Sequence, residues 1–166
     1  VASRMRLAGA LLEAGNAQEA IEHYEAAASG PFADDSALLL GMARAQFALG
    51  RYGAAEDTLT RLFKVDPPMR NQAQPALLHA RALAALGASG TREAFEAALA
   101  CASDAAPRCL FADWLAEQDA PADRARAAAL YEDILRDGEH WPRYAREHNR
   151  EWLARAQSAH ASIGGC

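Results

Sequence analysis

The chain has 166 residues, 51% of them apolar but only 7% aromatic, with 22 acidic against 17 basic residues and a formal net charge of -5. That length suits one domain or one array of repeats, and the acidic balance leaves no electrostatic footprint for nucleic acid. No apolar run approaches the roughly 18 residues of a membrane span, and no charged-then-apolar leader opens the chain.

Much of the apolar fraction is alanine, and β-branched residues are few, which favours helix by propensity. The three cysteines are Cys101, Cys109 and Cys166, with no CxxC among them, so a reducing, cytosol-facing compartment is expected. The first residue is Val1, which leaves room upstream for a membrane tether in a longer protein.

The predicted helices, in chain order, are 2–14, 17–28, 35–49, 52–64, 72–86, 91–103, 106–117, 122–137 and 142–159. Each carries apolar residues at three- and four-residue spacing. Asp34, Thr91 and Asp104 stand where N-caps belong, Pro142 at a first helical position, and Gly138 at a C-terminal stop. No alternating strand pattern of useful length occurs.

The first two helices set a template: Ala8, then Gly15 at the turn, then Ala20, Tyr24 and Ala27. Ala43, Gly50, Ala55, Leu59 and Leu62 repeat it 35 residues on (50 against 15), and Pro67 closes that second unit. A third unit carries Ala80, Leu83 and Gly87, with a turn lengthened so that Ala94 follows Gly87 by seven residues. A fourth has no turn glycine, only Pro121, yet Ala127, Tyr131 and Ile134 keep the template spacing. The units are about 1–34, 35–69, 70–105 and 106–137. The final segment, from Gly138 on, has Trp141, Tyr144, Ala145, His148, Trp152 and Ala156 near one face, and its helix, 142–159, reads as a cap, with residues 161–166 as a flexible tail.

This order of small residue, glycine, alanine, aromatic and proline, at about 34 residues per unit, resembles the tetratricopeptide repeat. The resemblance covers about residues 2–137. It implies an all-α fold: a right-handed superhelix of about four helix-turn-helix repeats with a C-terminal capping helix, in a single domain over 1–160. The chain is also similar to bacterial tetratricopeptide domains of unassigned function, some of which follow a membrane segment.

No catalytic set emerges. The five histidines, His23, His79, His140, His148 and His160, form no HExxH and read as surface or cap residues. Cys101 and Cys109 flank one inter-unit turn and read as small buried fillers in preference to a redox pair. No nucleophile elbow or phosphate loop is present. No cofactor or metal is expected.

The resemblance implies a concave groove lined by the first helices of successive units. The residue after each small one points into it: Gly9, Arg44, Arg81 and Asp113. Its middle would present Arg44 and Arg81 beside Leu40, Phe47 and Leu77, with Gln74 and Arg6 also at groove positions. A guanidinium on an apolar floor holds a carboxylate well. The expected partner is therefore a protein or peptide with an acidic residue or a terminal carboxylate. The equally weighted counter-reading is that both arginines pair with neighbouring acids or water. The lysine and asparagine clamp of the chaperone adaptors is missing, its places holding Met5, Gly9, Gly41, Gln74 and Leu78. The alternative functions are self-association as a homodimer through the last helix, or an accessory domain of a larger membrane-anchored protein.

Overall fold

The computed structural model describes residues 2–164. It is all helix, with no strand among the described residues: α1 (Ala2–Glu13), α2 (Ala17–Ala28), α3 (Ser36–Ala48), α4 (Tyr52–Val65), a 3-10 turn (Pro67–Asn71), α5 (Ala73–Leu86), α6 (Thr91–Cys101), α7 (Ala105–Ala116), α8 (Pro121–His140), α9 (Arg143–His148) and α10 (Arg150–Gly164). They fall into two compact units that part between Cys101 and Ala102.

In the first unit α1 packs on α2, α3 on α4 and α5 on α6, while α1, α3 and α5 also touch in succession. The three hairpins turn the same way. Gly15, Gly50 and Gly87 take positive φ, where a side chain would be strained. The amides that follow, on Asn16, Arg51 and Ala88, reach back to the carbonyls of Leu11, Gln46 and Leu83. Those of the glycines reach Leu12, Phe47 and Ala84. This double closure satisfies two orphan carbonyls per helix end. Alanines then let the helices close on one another, with Ala8, Ala20, Ala27 and Ala45 packed around Ile21, Tyr24 and Leu38. Leu39, Ala43, Leu59, Leu62, Phe63 and Leu78 continue the core. Within it the Thr58 hydroxyl donates to Gln46 Oε1 at 2.8 Å, which satisfies the one buried polar pair of α3 and α4.

In the second unit α7 packs on α8, and α10 lies on both. Phe111, Leu115, Ala127, Tyr131, Ile134 and Ala156 are buried there. Lacking a glycine, the α7–α8 turn closes through bonds from Glu117 N to Trp114 O and Gln118 N to Leu115 O. The Gln118 side chain caps Trp114 O as well, and Pro121 opens α8 where its missing N–H costs nothing.

Several local expectations change. The side-chain cap of α3 is Asp35, whose Oδ1 accepts from Leu38 N at 2.9 Å, while Asp34 turns to Arg61. Asp104 stands at the start of α7 without a side-chain cap bond, and Pro142 stands one place before α9. Gly138 does not stop a helix. It is buried inside α8, where a Cβ would lie 2.5 Å from Leu153 Cδ2, so its missing side chain lets α10 approach. The capping segment is two helices, broken at Asn149, whose backbone and side-chain amides both donate to Ala145 O. Residues 161–164 continue α10 and are not a tail; Gly165 and Cys166 lie outside the described residues.

Candidate functional site

Leu40, Arg44 and Phe47 stand four and three residues apart on α3, and Gln74, Leu77, Leu78 and Arg81 follow the same rhythm on α5. Each set therefore forms one stripe of its helix. Leu40, Arg44, Gln74, Leu77, Leu78 and Arg81 line a shallow cleft of about 180 Å³. Phe47 lies beneath it, half-buried, its ring edge-on to Tyr52 at 5.1 Å. The Arg81 guanidinium lies over that ring at 4.6 Å, a cation–π contact. Arg44 pairs with Glu13 at the end of α1, both side chains well exposed at 39% and 69%. Arg6 does not line the cleft. It stands one residue past Met5 on α1, about 100° around the helix from that stripe, and is exposed.

The cleft thus offers two guanidiniums above leucine side chains. Arg81 lies over an aromatic ring, and Arg44 is engaged by an exchangeable carboxylate. Such an arrangement accepts an anionic group in a partly apolar setting.

Asp113, at the matching position of α7, is used inside its own unit. Its Oδ1 accepts from the Tyr131 hydroxyl of α8, and its Oδ2 faces Arg155 of α10. Sequence spacing aligned Asp113 with Arg44 and Arg81 without revealing that α10 would answer it.

His79 is a half-buried wall residue, edge-on to Phe63 at 5.4 Å, and not a surface histidine. Burial holds its pKa below the usual range against the raising effect of Glu56. The hint lay in its place on α5, one turn from the buried Ala76 and beside Ala80.

Cys109 is fully buried, and burial first, then Asp113, push its thiol up to about 12, with Arg155 opposing. Cys101 is half-buried, its thiol against Ala97 O. Iodoacetamide at pH 8 is therefore expected to alkylate Cys101 and to spare Cys109 until denaturant is added. Peptide mass mapping checks this, and equal modification of the two in native protein would contradict it.

Among the described residues no three His, Cys, Asp or Glu side chains gather as a metal set, and no helix is long and apolar enough to cross a membrane. Tyr144 is 76% exposed on α9, and Trp141 and Trp152 are half-buried. A family model described as tetratricopeptide repeat matches residues 11–82, from within α1 to within α5. No curated protein matches the chain.

Proposed function

This chain belongs to the tetratricopeptide repeat family through residues 11–82, and we propose that it binds a protein segment by a carboxylate seated in the cleft between α3 and α5. The family is non-catalytic and mediates protein–protein interaction. The observation that carries the finer reading is the convergence of Arg44 and Arg81 over Leu40, Leu77 and Leu78 in one cleft. Glu13 is the resident competitor for Arg44. An exposed ion pair of this kind is worth about 0–1 kcal/mol, so an incoming carboxylate that also covers the leucines displaces it at little cost. Arg81 is already placed over Phe47, and the second oxygen joins or exchanges with contacts it makes within the chain.

The test is Arg44→Glu combined with Arg81→Glu, since both residues sit on helix surfaces and neither side chain is core. Helical content is expected to be unchanged, while proteins retained from native lysate by the wild-type domain are lost at least tenfold by quantitative mass spectrometry. An unchanged partner set on a folded double variant removes the cleft from consideration.

A further inference from the structure

A second cavity, of about 250 Å³, opens between α4, the 3-10 turn, α5 and α6. Its floor is the buried Phe63 ring, with His79 edge-on beside it. Its room is made by small residues: Gly90, Ala76, Ala94 and Ala97. On α5, Ala76 and His79 lie about 180° around the helix from the Gln74–Leu77–Leu78–Arg81 stripe, at 100° per residue. The cavity is therefore on the opposite face of α5 from the arginine cleft.

Two charges stand at its rim, Arg70 and Glu93. Arg70 lies over the Phe63 ring, at 5.3 Å, with its charge felt by His79, and among the described residues neither Arg70 nor Glu93 has an ion pair or hydrogen bond. Arg44, Arg61, Arg108, Arg136, Arg143 and Arg155 all have carboxylate partners. A cavity of about 150 Å³ already holds a benzene ring, so this one admits a phenyl side chain with its linking carbon.

We propose that this cavity docks an aromatic side chain of a partner polypeptide, phenylalanine by size, flanked by an acidic residue that meets Arg70 and a basic residue that meets Glu93. The occupant's ring fills the space over Phe63 between the alanines. The two rim charges, neither of them in an ion pair among the described residues, select its neighbours. This site is independent of the arginine cleft, and one chain can hold both segments at once.

The probes are blocked pentapeptides with a central Asp-Phe-Lys or Lys-Phe-Asp, since either chain direction satisfies the rim. They are titrated into ¹⁵N-labelled protein at ~0.15 M salt, where distant charges are screened. One of the two orders is expected to shift amides of α6 and the 3-10 turn saturably, and its Phe-to-Ala counterpart to bind at least about tenfold more weakly. Ala97→Leu, an exposed lining position compatible with a helix, is expected to fill the cavity and abolish the shifts. Arg70→Glu is expected to weaken the preferred peptide about fivefold and to strengthen Lys-Phe-Lys by a similar factor, the scale of one exposed ion pair. That reversal is a signature that mere loss of structure does not give. Arg44→Glu with Arg81→Glu should leave all of this unchanged. The proposal is overturned if the alanine peptide binds as well as the phenylalanine one. Unaltered binding by Ala97→Leu, or unaltered charge preference in Arg70→Glu, also overturns it. Loss of binding in the double arginine variant would assign the peptides to the cleft and equally remove this site.

Discussion

Tyr131→Ala is expected to remove about 3–5 kcal/mol from the α7–α10 unit, and Tyr131→Phe about 1–2 kcal/mol. The ring is the larger part. Tyr131 is 1% exposed, in a unit whose Phe111, Leu115, Ala127 and Ile134 are all at 0%. Removing it leaves a cavity that such a small core cannot collapse around. A unit of this size has roughly 3–10 kcal/mol in all, so the alanine variant approaches complete loss. The hydroxyl is the smaller part. It donates to Asp113 Oδ1, and a bond to a charged acceptor is worth more than a neutral one. Asp113 keeps about a fifth of its side chain in water and the charge of Arg155 beside Oδ2, which is buried without a hydrogen bond, so phenylalanine leaves the carboxylate paired by charge alone. Arg155 itself is 49% exposed, which limits its pair with Asp113 to about 0–1 kcal/mol.

The three variants, Tyr131→Phe, Tyr131→Ala and Arg155→Ala, should therefore rank in stability as Arg155→Ala above Tyr131→Phe above Tyr131→Ala. Native-state hydrogen exchange of α7, α8 and α10 amides reads this unit specifically. A phenylalanine variant as unstable as the alanine one would mean that the bond, not the packing, carries the site. The hydroxyl also sets an alkaline limit. Burial first, then the bond to Asp113, raise its pKa above the ordinary value of 10. A group raised in the folded state contributes stability that is whole below the unfolded pKa and is lost as pH rises through the folded one. Wild-type exchange protection in this unit should fall above about pH 10, and Tyr131→Phe should fall less steeply.

How far these features could be read from sequence differs from residue to residue. The register was legible because its markers are local. Gly15, Gly50 and Gly87 each follow a helix end, and all three close it by the same pair of bonds. The register of the fourth repeat rested on Tyr131 standing where Tyr24 stands, and the structure supplies a second likeness. A Cβ on Gly9 would lie 3.8 Å from the Tyr24 hydroxyl, and the Tyr131 hydroxyl meets the aligned Asp113. Gly138 was misread because glycine marks both a helix end and a close approach of helices. Only Leu153, arriving from α10, distinguishes the two. The break at Asn149 was not legible because the apolar spacing of 142–159 runs straight through it, and an asparagine within a helical pattern does not by itself mark an end.

For the candidate cleft, the equivalence of Arg44 and Arg81 follows from the repeat period, so their meeting with Leu40, Gln74 and Leu77 was legible. That Arg44 would pair with an acid was one of the two readings; that the acid would be Glu13 was not legible, because the two are 31 residues apart in the chain. The cavity beside His79 was illegible for a different reason. It is made of atoms that alanine and glycine do not have, and a sequence rich in alanine gives no way to tell filled places from empty ones.

Gly41→Ala is expected to destabilise the first unit by about 1–3 kcal/mol, although the same change in an open helix would stabilise by about 0.5–1 kcal/mol. The steric term wins because of what the new methyl meets. A Cβ on Gly41 would stand 2.5 Å from Tyr24 Cζ and 2.6 Å from its Cε1 and hydroxyl oxygen. Carbon atoms in contact prefer about 3.5–4.0 Å, and Tyr24 is a rigid ring at 4% exposure, hemmed by Ala8, Ala20, Ala27 and Leu38. It cannot yield by a bond rotation as Leu153 can beside Gly138; α2 must move off α3. Gly9 of α1, which faces the same ring from the place aligned with Arg44, makes the contrast. Its nearest atom is the Tyr24 hydroxyl at an ordinary 3.8 Å, so Gly9→Ala should be stabilising by about 0.5–1 kcal/mol. The decisive arm is Gly41→Ala made in a Tyr24→Leu background. With the ring gone, the clash term vanishes and only helix propensity remains, so the sign reverses. Urea unfolding of the four proteins in that cycle isolates the coupling between the two positions. A Gly41→Ala variant more stable than wild type with Tyr24 in place would show that the helices shift freely. Arg44 stands three residues beyond Gly41 on α3, and its guanidinium is close enough to bias the Tyr24 hydroxyl. Freely sliding helices would leave the Arg44–Glu13 pair, and with it the cleft floor, without a fixed geometry.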